Sequence, residues 1–408
     1  MNCRGCGSPL NLPLIDLGTA PPSNAYLRAE QLEAAEQWVP LKVQVCQSCW
    51  LVQTEDYTRA ESLFDADYAY FSSFSSTWLE HAERYVAAMV ERFGLNAESR
   101  VVEIAANDGY LLQYVARRGI PCLGIEPTRS TAQAAREKGL DIRELFFGRD
   151  TALQLVEEGW SADLMAANNV LAHVPDINDF LTGFALLLKP GGVATFEFPH
   201  LLALMEGAQF DTLYHEHYSY LSLTAVQTLC ERNGLDIFDV SHLPTHGGSL
   251  RVFVQRVEGV RRAQQPAVQQ ALAAELRAGV TRSGFYTTLA PAAERIKHGL
   301  LRFLLQAKAE GKRVAGYGAA AKGNTLLNYA GVKPDLLAWV ADANPHKQGK
   351  FLPGSRIPVV SPERIALEKP DYVLVLPWNL LNEVSQEQAV IREWGGRFVI
   401  AVPELRIL

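Results

Sequence analysis

The sequence has no apolar run approaching the roughly 20 residues that a membrane-spanning helix needs, so no span is expected. It also lacks cationic excess: 38 Lys and Arg stand against 45 Asp and Glu, a formal charge of −7. That sign argues against nucleic acid or an anionic membrane as general partner, since either calls for the opposite field. The opening Met-Asn-Cys-Arg does not have the pattern of a signal peptide, and a cytoplasmic location is expected. The dinucleotide fingerprint G-x-G-x-x-G is absent. Histidine is scarce, at nine in 408 residues. What remains is the composition of a folded chain, 48% hydrophobic and 20% charged. At roughly 150 residues per domain, the length suggests two or three domains.

Cysteine is sparse too, but its placement is uneven. Of six, four form the pairs Cys3/Cys6 and Cys46/Cys49. Two C-x-x-C turns supply four thiolates, the donor set of a closed structural Zn2+ site. The stretch Gly18–Ser23 is expected to loop out between the two knuckles. Over residues 1–60 the bases Arg4, Arg28, Lys42 and Arg59 face the acids Asp16, Glu30, Glu33, Glu36, Glu55 and Asp56. A finger that grips nucleic acid needs a basic face, so structural zinc in a lobe with little core of its own is the better reading. Cys122, in an apparent strand, and Cys230, in an apolar helical pattern, read as core residues.

After a helical stretch around Trp78–Phe93, the chain alternates strands and helices. Val101–Ile104 is an apolar strand running into the acidic turn Ala105-Ala106-Asn107-Asp108-Gly109. A second strand, Cys122–Ile125, delivers Glu126 at its carboxyl end, where the ligand crevice of a parallel sheet lies. An acid there suits the ribose hydroxyls of a nucleoside. The carboxylates of the first turn suit a cationic, phosphate-free cofactor, which favours S-adenosylmethionine over NAD. Glu103, Ala105, Asn107, Asp108, Gly109, Glu126 and, after the fourth strand, Asn168 are the candidate cofactor residues. The Lys189-Pro190-Gly191-Gly192 turn leads into strand Val193–Phe198, and Leu235–Val240 and Ser249–Val254 are joined by Thr245-His246-Gly247-Gly248. This order resembles a class I methyltransferase, whose last strand is reversed. Ala105 departs from the usual glycine, and its methyl group is expected to crowd the donor.

The densest run of titratable groups is Tyr214-His215-Glu216-His217-Tyr218. Histidine titrates near neutrality, which makes it the default general base. An extended run puts Tyr214, Glu216 and Tyr218 on one face and both histidines on the other. A helix start instead aligns Tyr214 with His217. A metal reading of His-x-His lacks a third ligand nearby.

Arg261 to about Gly311 reads mainly as helices. Arg313–Thr325 then gives a strand, the small-residue turn Gly318-Ala319-Ala320-Ala321 and a helix start carrying Lys322 and Asn324. Such turns either meet an anion or let helix and strand pack closely. Strands are expected at Leu336–Val340, Asp371–Leu376 and Arg397–Val402. In the loop after the first of these, Lys347 or Lys350 faces a phosphate or belongs to a solvated charge run.

Taken in order, the paired cysteines, E-I-A-A-N-D-G-Y-L-L, L-Y-H-E-H-Y-S-Y-L-S and G-Y-G-A-A-A-K-G-N-T resemble the nucleotide-sugar C-methyltransferases. These include 3-C-methyltransferases acting on dTDP-4-keto-deoxysugars, and the resemblance covers nearly the entire chain. It implies an α/β protein of three parts: a zinc-binding domain over 1–60, a class I methyltransferase Rossmann-like domain over 61–258, and a Rossmann-like substrate-binding domain over 259–408. It implies structural Zn2+ on Cys3, Cys6, Cys46 and Cys49, S-adenosylmethionine as methyl donor, and a nucleotide-linked, dTDP-type 4-keto sugar as partner.

By motif, the resemblance makes His217 the base, with Tyr214 and Glu216 lining the sugar site and His173 a second active-site histidine. Tyr70 contacts the substrate, with Tyr68 an equal match, while Gly318, Lys322, Asn324 and Lys347 belong to the substrate site. Deprotonating C3 is feasible because charge moves onto the C4 ketone oxygen, where His173 or a tyrosine is expected to donate. The competing readings are methyl transfer to oxygen or nitrogen of another small molecule, and a nucleotide-binding module without turnover.

Overall fold

The computed structural model describes residues 1–57 and 71–408, so Tyr68 and Tyr70 lie outside the described residues. Its first strands are β1 (Leu12–Ala20), β2 (Val39–Val45) and β3 (Val52–Thr54). β2 buries every second side chain of Val-Pro-Leu-Lys-Val-Gln-Val, the period of a half-buried strand. The central strands are β4 (Val101–Ile104), β5 (Cys122–Ile125), β6 (Ile142–Arg143), β7 (Ala162–Asn168) and β8 (Leu188–Pro199). After β9 (Ser219–Tyr220) come β10 (Leu235–Leu243) and β11 (Ser249–Arg256).

The central sheet runs β6-β5-β4-β7-β8-β11-β10, and β11 lies antiparallel to both its neighbours. That is the expected class I arrangement with its reversed strand. β4 is buried throughout and β5 from Leu123 onward, and apart from Glu103 their residues are apolar because helices cover both faces. One such helix, Ser76–Phe93, starts where the Ser75 side chain accepts from the Trp78 N–H and ends at Gly94 in a left-handed conformation. It buries Ala82, Tyr85, Val86 and Met89 along one stripe. The Lys-Pro-Gly-Gly turn is absorbed into β8 as an irregularity, with a register shift against β7 and Gly191 at φ +84°.

The last sheet holds β12 (Val314–Tyr317), β13 (Val340–Ala341), β14 (Val359–Val360), β15 (Tyr372–Val375), β16 (Arg397–Ile400) and β17 (Arg406–Ile407). Its order is β14-β13-β12-β15-β16-β17, parallel except for β17. β13 is shorter than the expected Leu336–Val340. Leu336 and Leu337 instead bond back to the Lys333 carbonyl in a turn around Pro334, although Leu337 is buried.

The amino-terminal strands are wedged between the two larger sheets. Cys3, Cys46, Cys49 and Leu51 share one core with the central sheet. Leu14, Ile15, Leu41 and Val43 share another with Leu300, Leu327 and Val399. Gly18–Ser23 does not loop out as expected. β1 continues to Ala20, and the following residues dock on the last third, with Asn324 donating to the Ser23 carbonyl at 2.8 Å. β9 joins the first sheet through β3, which fixes the chain just after His217.

Candidate functional site

The turn after β4 is strained in an informative way. Ala105 and Asn107 have φ of +54° and +49°, a region that costs a non-glycine residue about 1–2 kcal/mol. Glycine is therefore favoured at 105 by the backbone conformation itself, a reason separate from the expected crowding of the donor. Glu126 holds this turn shut, accepting from Asn107 N–H at 2.8 Å and Thr128 N–H at 2.9 Å. The side chains of Thr128 and Thr131 bond the same carboxylate. The side chains of Asn107 and Asp108 accept from the Ser72 and Ser73 N–H groups, tying the turn to the segment before the Ser76–Phe93 helix.

Around the crevice, polar atoms are buried without hydrogen-bond partners among the described residues: Glu103 Oε2, Asp108 Oδ1, and both Nδ2 and Oδ1 of Asn168. Burial pushes the carboxyls of Glu103 and Glu126 up from their ordinary value. Orphaned donors and acceptors are costly, and a polar cofactor carrying amino, carboxylate and hydroxyl groups would satisfy them. S-adenosylmethionine fits that description, and it supplies an electrophilic methyl group on a sulfonium when bound.

The Tyr214–Tyr218 run is neither strand nor helix but a turn, with His217 N–H bonded to the Tyr214 carbonyl at 3.0 Å. This brings Tyr214 and His217 together, and the tyrosine hydroxyl meets His217 Nε2 at 2.6 Å. The histidine's remaining contact is with the Thr212 backbone, whose carbonyl favours a proton on the ring. His173 packs edge-on against His217, ring centroids 4.5 Å apart. Burial first, then the neighbouring His173 ring, against which a second positive charge would be repelled, hold His217 well below the usual imidazole range, so it is neutral near pH 7.

His173 Nδ1 lies 2.9 Å from the Glu216 carbonyl. A carbonyl only accepts, so Nδ1 carries the proton and Nε2 a lone pair; burial keeps the ring neutral, with a pKa of about 4. Neutral His173 therefore has no proton on Nε2 to give an enolate, which withdraws it as the expected oxyanion donor. Glu216 acts on this histidine through its backbone. Its buried carboxyl turns the other way, to the Asn24 N–H at 3.3 Å and the Asn24 side-chain amide. His215 Nε2 points to the Val39 and Pro40 carbonyls, 3.2 Å from each, so the two histidines of His-x-His do not converge on a metal.

In the last third, the small-residue turn is built chiefly for packing. A Cβ on Gly318, at φ +85°, would lie 2.4 Å from Pro377. Asn324 is spent on Ser23, and Lys347 Nζ donates to the Ala319 carbonyl at 2.8 Å beside Asp342. Asp342 also accepts from the Ala319 N–H, so the turn already holds a carboxylate. Lys322 is different: it donates to Asn379 at 2.7 Å, lies over the Trp378 ring, and its charge reaches buried Asp211. Lys322 is the expected substrate residue whose charge acts on His217, helping to hold its pKa down.

At the amino terminus, the Sγ atoms of Cys3, Cys6, Cys46 and Cys49 all lie within 4.8 Å of one another, with Cys3–Cys49 and Cys6–Cys46 at 3.5 Å. Tetrahedral Zn–S bonds of about 2.3 Å require sulfurs about 3.8 Å apart, so the donor set fits Zn2+. Gln53 Nε2 donates to Cys3 Sγ at 3.2 Å, a supporting contact of the kind that tunes thiolate ligands.

Three family models match the chain in succession: "Putative zinc binding domain" at residues 3–64, "Methyltransferase domain" at 78–240 and "C-methyltransferase C-terminal domain" at 244–403. The C-methyltransferase NovU of Streptomyces niveus is 35% identical over 406 residues, spanning 100% of this chain and 96% of that protein. The chain belongs to the C-methyltransferases.

More distant relatives match a smaller part of this C-methyltransferase. Ubiquinone biosynthesis O-methyltransferase of Agrobacterium fabrum is 30% identical over 131 residues, 29% of this chain and 50% of that one. The S-adenosylmethionine-bound magnesium protoporphyrin IX methyltransferase of Synechocystis PCC 6803 is 16% identical over 44% of this chain and 79% of that one, at a TM-score of 0.34. The C-methyltransferase uses S-adenosylmethionine, and no helix among the described residues is long and apolar enough to cross a membrane.

Sequence reasoning missed three residues of this C-methyltransferase's site. Asn24 and Tyr26 reach it from the zinc lobe, the latter donating to the Ala319 carbonyl at 2.5 Å. Arg4, inside the first knuckle, donates to the carbonyls of Pro175 at 3.1 Å and Thr54 at 3.0 Å and lies over the Tyr218 ring. Thr54 Oγ1 in turn donates to the His217 carbonyl at 3.1 Å. Arg4 thus ties the zinc knuckle to the loops of His173 and His217; a cation within the first C-x-x-C was the only signal for it.

Proposed function

We propose that this C-methyltransferase transfers a methyl group to C3 of a nucleotide-linked, dTDP-type 4-keto-deoxysugar. The observation that carries the reading is the Tyr214–His217–His173 cluster, buried at His217 and half-buried at the other two, where the central sheet, the zinc lobe and the Lys322 helix meet. Oxygen or nitrogen acceptors already hold a lone pair; a carbon acceptor needs a base, and a ketone next to it to take up the charge.

His217 is that base, and its Nε2 lone pair is the one that takes the C3 proton. Tyr214 keeps the ring in the tautomer with this lone pair inward, and its hydroxyl turns to the sugar when substrate enters. His173 crowds the ring so that no proton rests on it beforehand. Glu103, Asn107, Glu126 and Asn168 hold the donor, and Lys322 meets the anionic part of the nucleotide. Holding the carbanion-like carbon and the sulfonium at contact distance contributes much of the rate.

The test is product analysis after incubation with S-adenosylmethionine and a panel of 4-keto nucleotide sugars. A mass gain of one methylene, located at C3 by NMR, is the expected result. A methyl on a hydroxyl, or no product from any keto sugar alongside turnover of a phenol, would replace this reading.

A further inference from the structure

The turn joining β10 and β11 has three successive residues with positive φ: His246 at +54°, Gly247 at +86° and Gly248 at +118°. Two are glycines with no room for a side chain: a Cβ at 247 would lie 2.5 Å from Trp378 and one at 248 2.7 Å from Ala203. The third keeps an imidazole in a conformation that disfavours any side chain. A residue held so is explained by what its side chain touches. His246 Nε2 lies 3.2 Å from Asn169 Nδ2, and Asn169 is itself left-handed at φ +57°, just beyond the carboxyl end of β7. The Trp78 ring packs against the imidazole edge at 5.5 Å. The charges of Lys322 and His81 disfavour a proton on it and that of Glu197 favours one, and it lies close enough to His217 to shift that ring's titration.

With Asn169 Nδ2 donating, Nε2 accepts and the neutral ring carries its proton on Nδ1. Burial and then Lys322 hold the ring at a pKa of about 4, so it stays neutral at working pH. A neutral imidazole that keeps its proton is a good electrophile toward a developing oxyanion, because it gives a hydrogen bond without surrendering the proton. Beside it, Asn168 leaves two buried polar atoms unpaired at the end of β7.

We propose that His246 is the catalytic residue that receives the enolate oxygen, donating from Nδ1–H, with Asn169 fixing its tautomer. This rests on the carbon-methylation reading above. In the step, the C3–H electron pair becomes the C3–C4 double bond and the carbonyl π pair moves onto oxygen. The proton leaves to His217 Nε2, so charge balances between imidazolium and enolate with no further reactant.

The experiment measures exchange of the C3 hydrogen in D2O by NMR, using full-length zinc-loaded protein, S-adenosylhomocysteine and a dTDP-linked 4-keto-2,6-dideoxysugar. His246→Ala should slow exchange and methylation by the same factor, about 100-fold or more as for the loss of one oxyanion donor, with S-adenosylhomocysteine affinity within twofold of wild type. His246→Gln, which restores an N–H, should recover part of both rates. Wild-type exchange in His246→Ala overturns the assignment, as does a proportionate loss of S-adenosylhomocysteine affinity. Methylation by wild type without any C3 exchange overturns the enolate reading itself, and this role with it.

Discussion

Replacing Glu216 by glutamine isolates what a buried carboxyl costs this site. Glu216 is 1% exposed, its partners are the two Asn24 groups, and burial raises its pKa from 4.5 to about 7. A folded value above the unfolded one means that the folded chain prefers the protonated acid. The associated stability is fully present below about pH 4.5 and is lost as pH rises through about 7. The gap between 4.5 and about 7 corresponds to roughly 3 kcal/mol at most. Glutamine carries no such charge, and a turn of the Asn24 amide lets both side chains stay bonded. Glu216→Gln should therefore match wild type at pH 5 and gain on it through pH 7 to 9. With an unfolding entropy of about 2 cal/mol/K per residue, a chain of this length melting as one unit would gain roughly 4 °C at pH 9. Calorimetry of both proteins at pH 5, 7 and 9 reads this directly. A difference independent of pH, or wild type gaining as pH rises, would refute the buried-carboxyl argument.

The zinc knuckle should matter to chemistry through Arg4. Removing zinc with a chelator should abolish methylation together with the near-ultraviolet dichroism of the Tyr214–Tyr220 region. Arg4→Ala should lower kcat about 10-fold or more at unchanged zinc content, a hydrogen bond to a charged group contributing about 1.5–3 kcal/mol; normal kcat would separate the knuckle from the histidines. At the strained turn, Ala105→Gly should leave S-adenosylmethionine affinity within twofold, whereas Ala105→Val should weaken it at least tenfold, since a β-branched residue resists positive φ. Equal titration curves for the two variants would show that backbone strain at 105 has no part in donor binding.

The order of the central sheet was legible because each strand is a short apolar run ending in a polar residue: Glu126 after β5, Asn168 at the end of β7. Local chemistry also placed the four cysteines, and of the two readings of the Tyr214–Tyr218 run the helix start was the one that paired Tyr214 with His217. What escaped was set by partners far away in the chain. Lys347 reads as a phosphate contact or part of a solvated charge run, and its bonds to the Ala319 carbonyl and Asp342 leave no mark in the sequence. Asn324 reads as a ligand until Ser23, from the other end of the chain, takes its amide. The role of His173 turned on which nitrogen is protonated, and a backbone carbonyl at Glu216 decides that without leaving a mark in residue type. The Thr245-His246-Gly247-Gly248 turn was visible as a connection, but only the fold brings it to Asn169 and Lys322.

The most direct test of the central claim is loss of the C3 hydrogen to D2O when S-adenosylhomocysteine occupies the donor site, compared between wild type and His217→Asn. Wild type should exchange C3 hydrogen before any methyl transfer, and His217→Asn should lose exchange and methylation together, by about 100-fold or more, while binding S-adenosylhomocysteine normally. Exchange that persists in His217→Asn would show that another group takes the proton and would contradict the account.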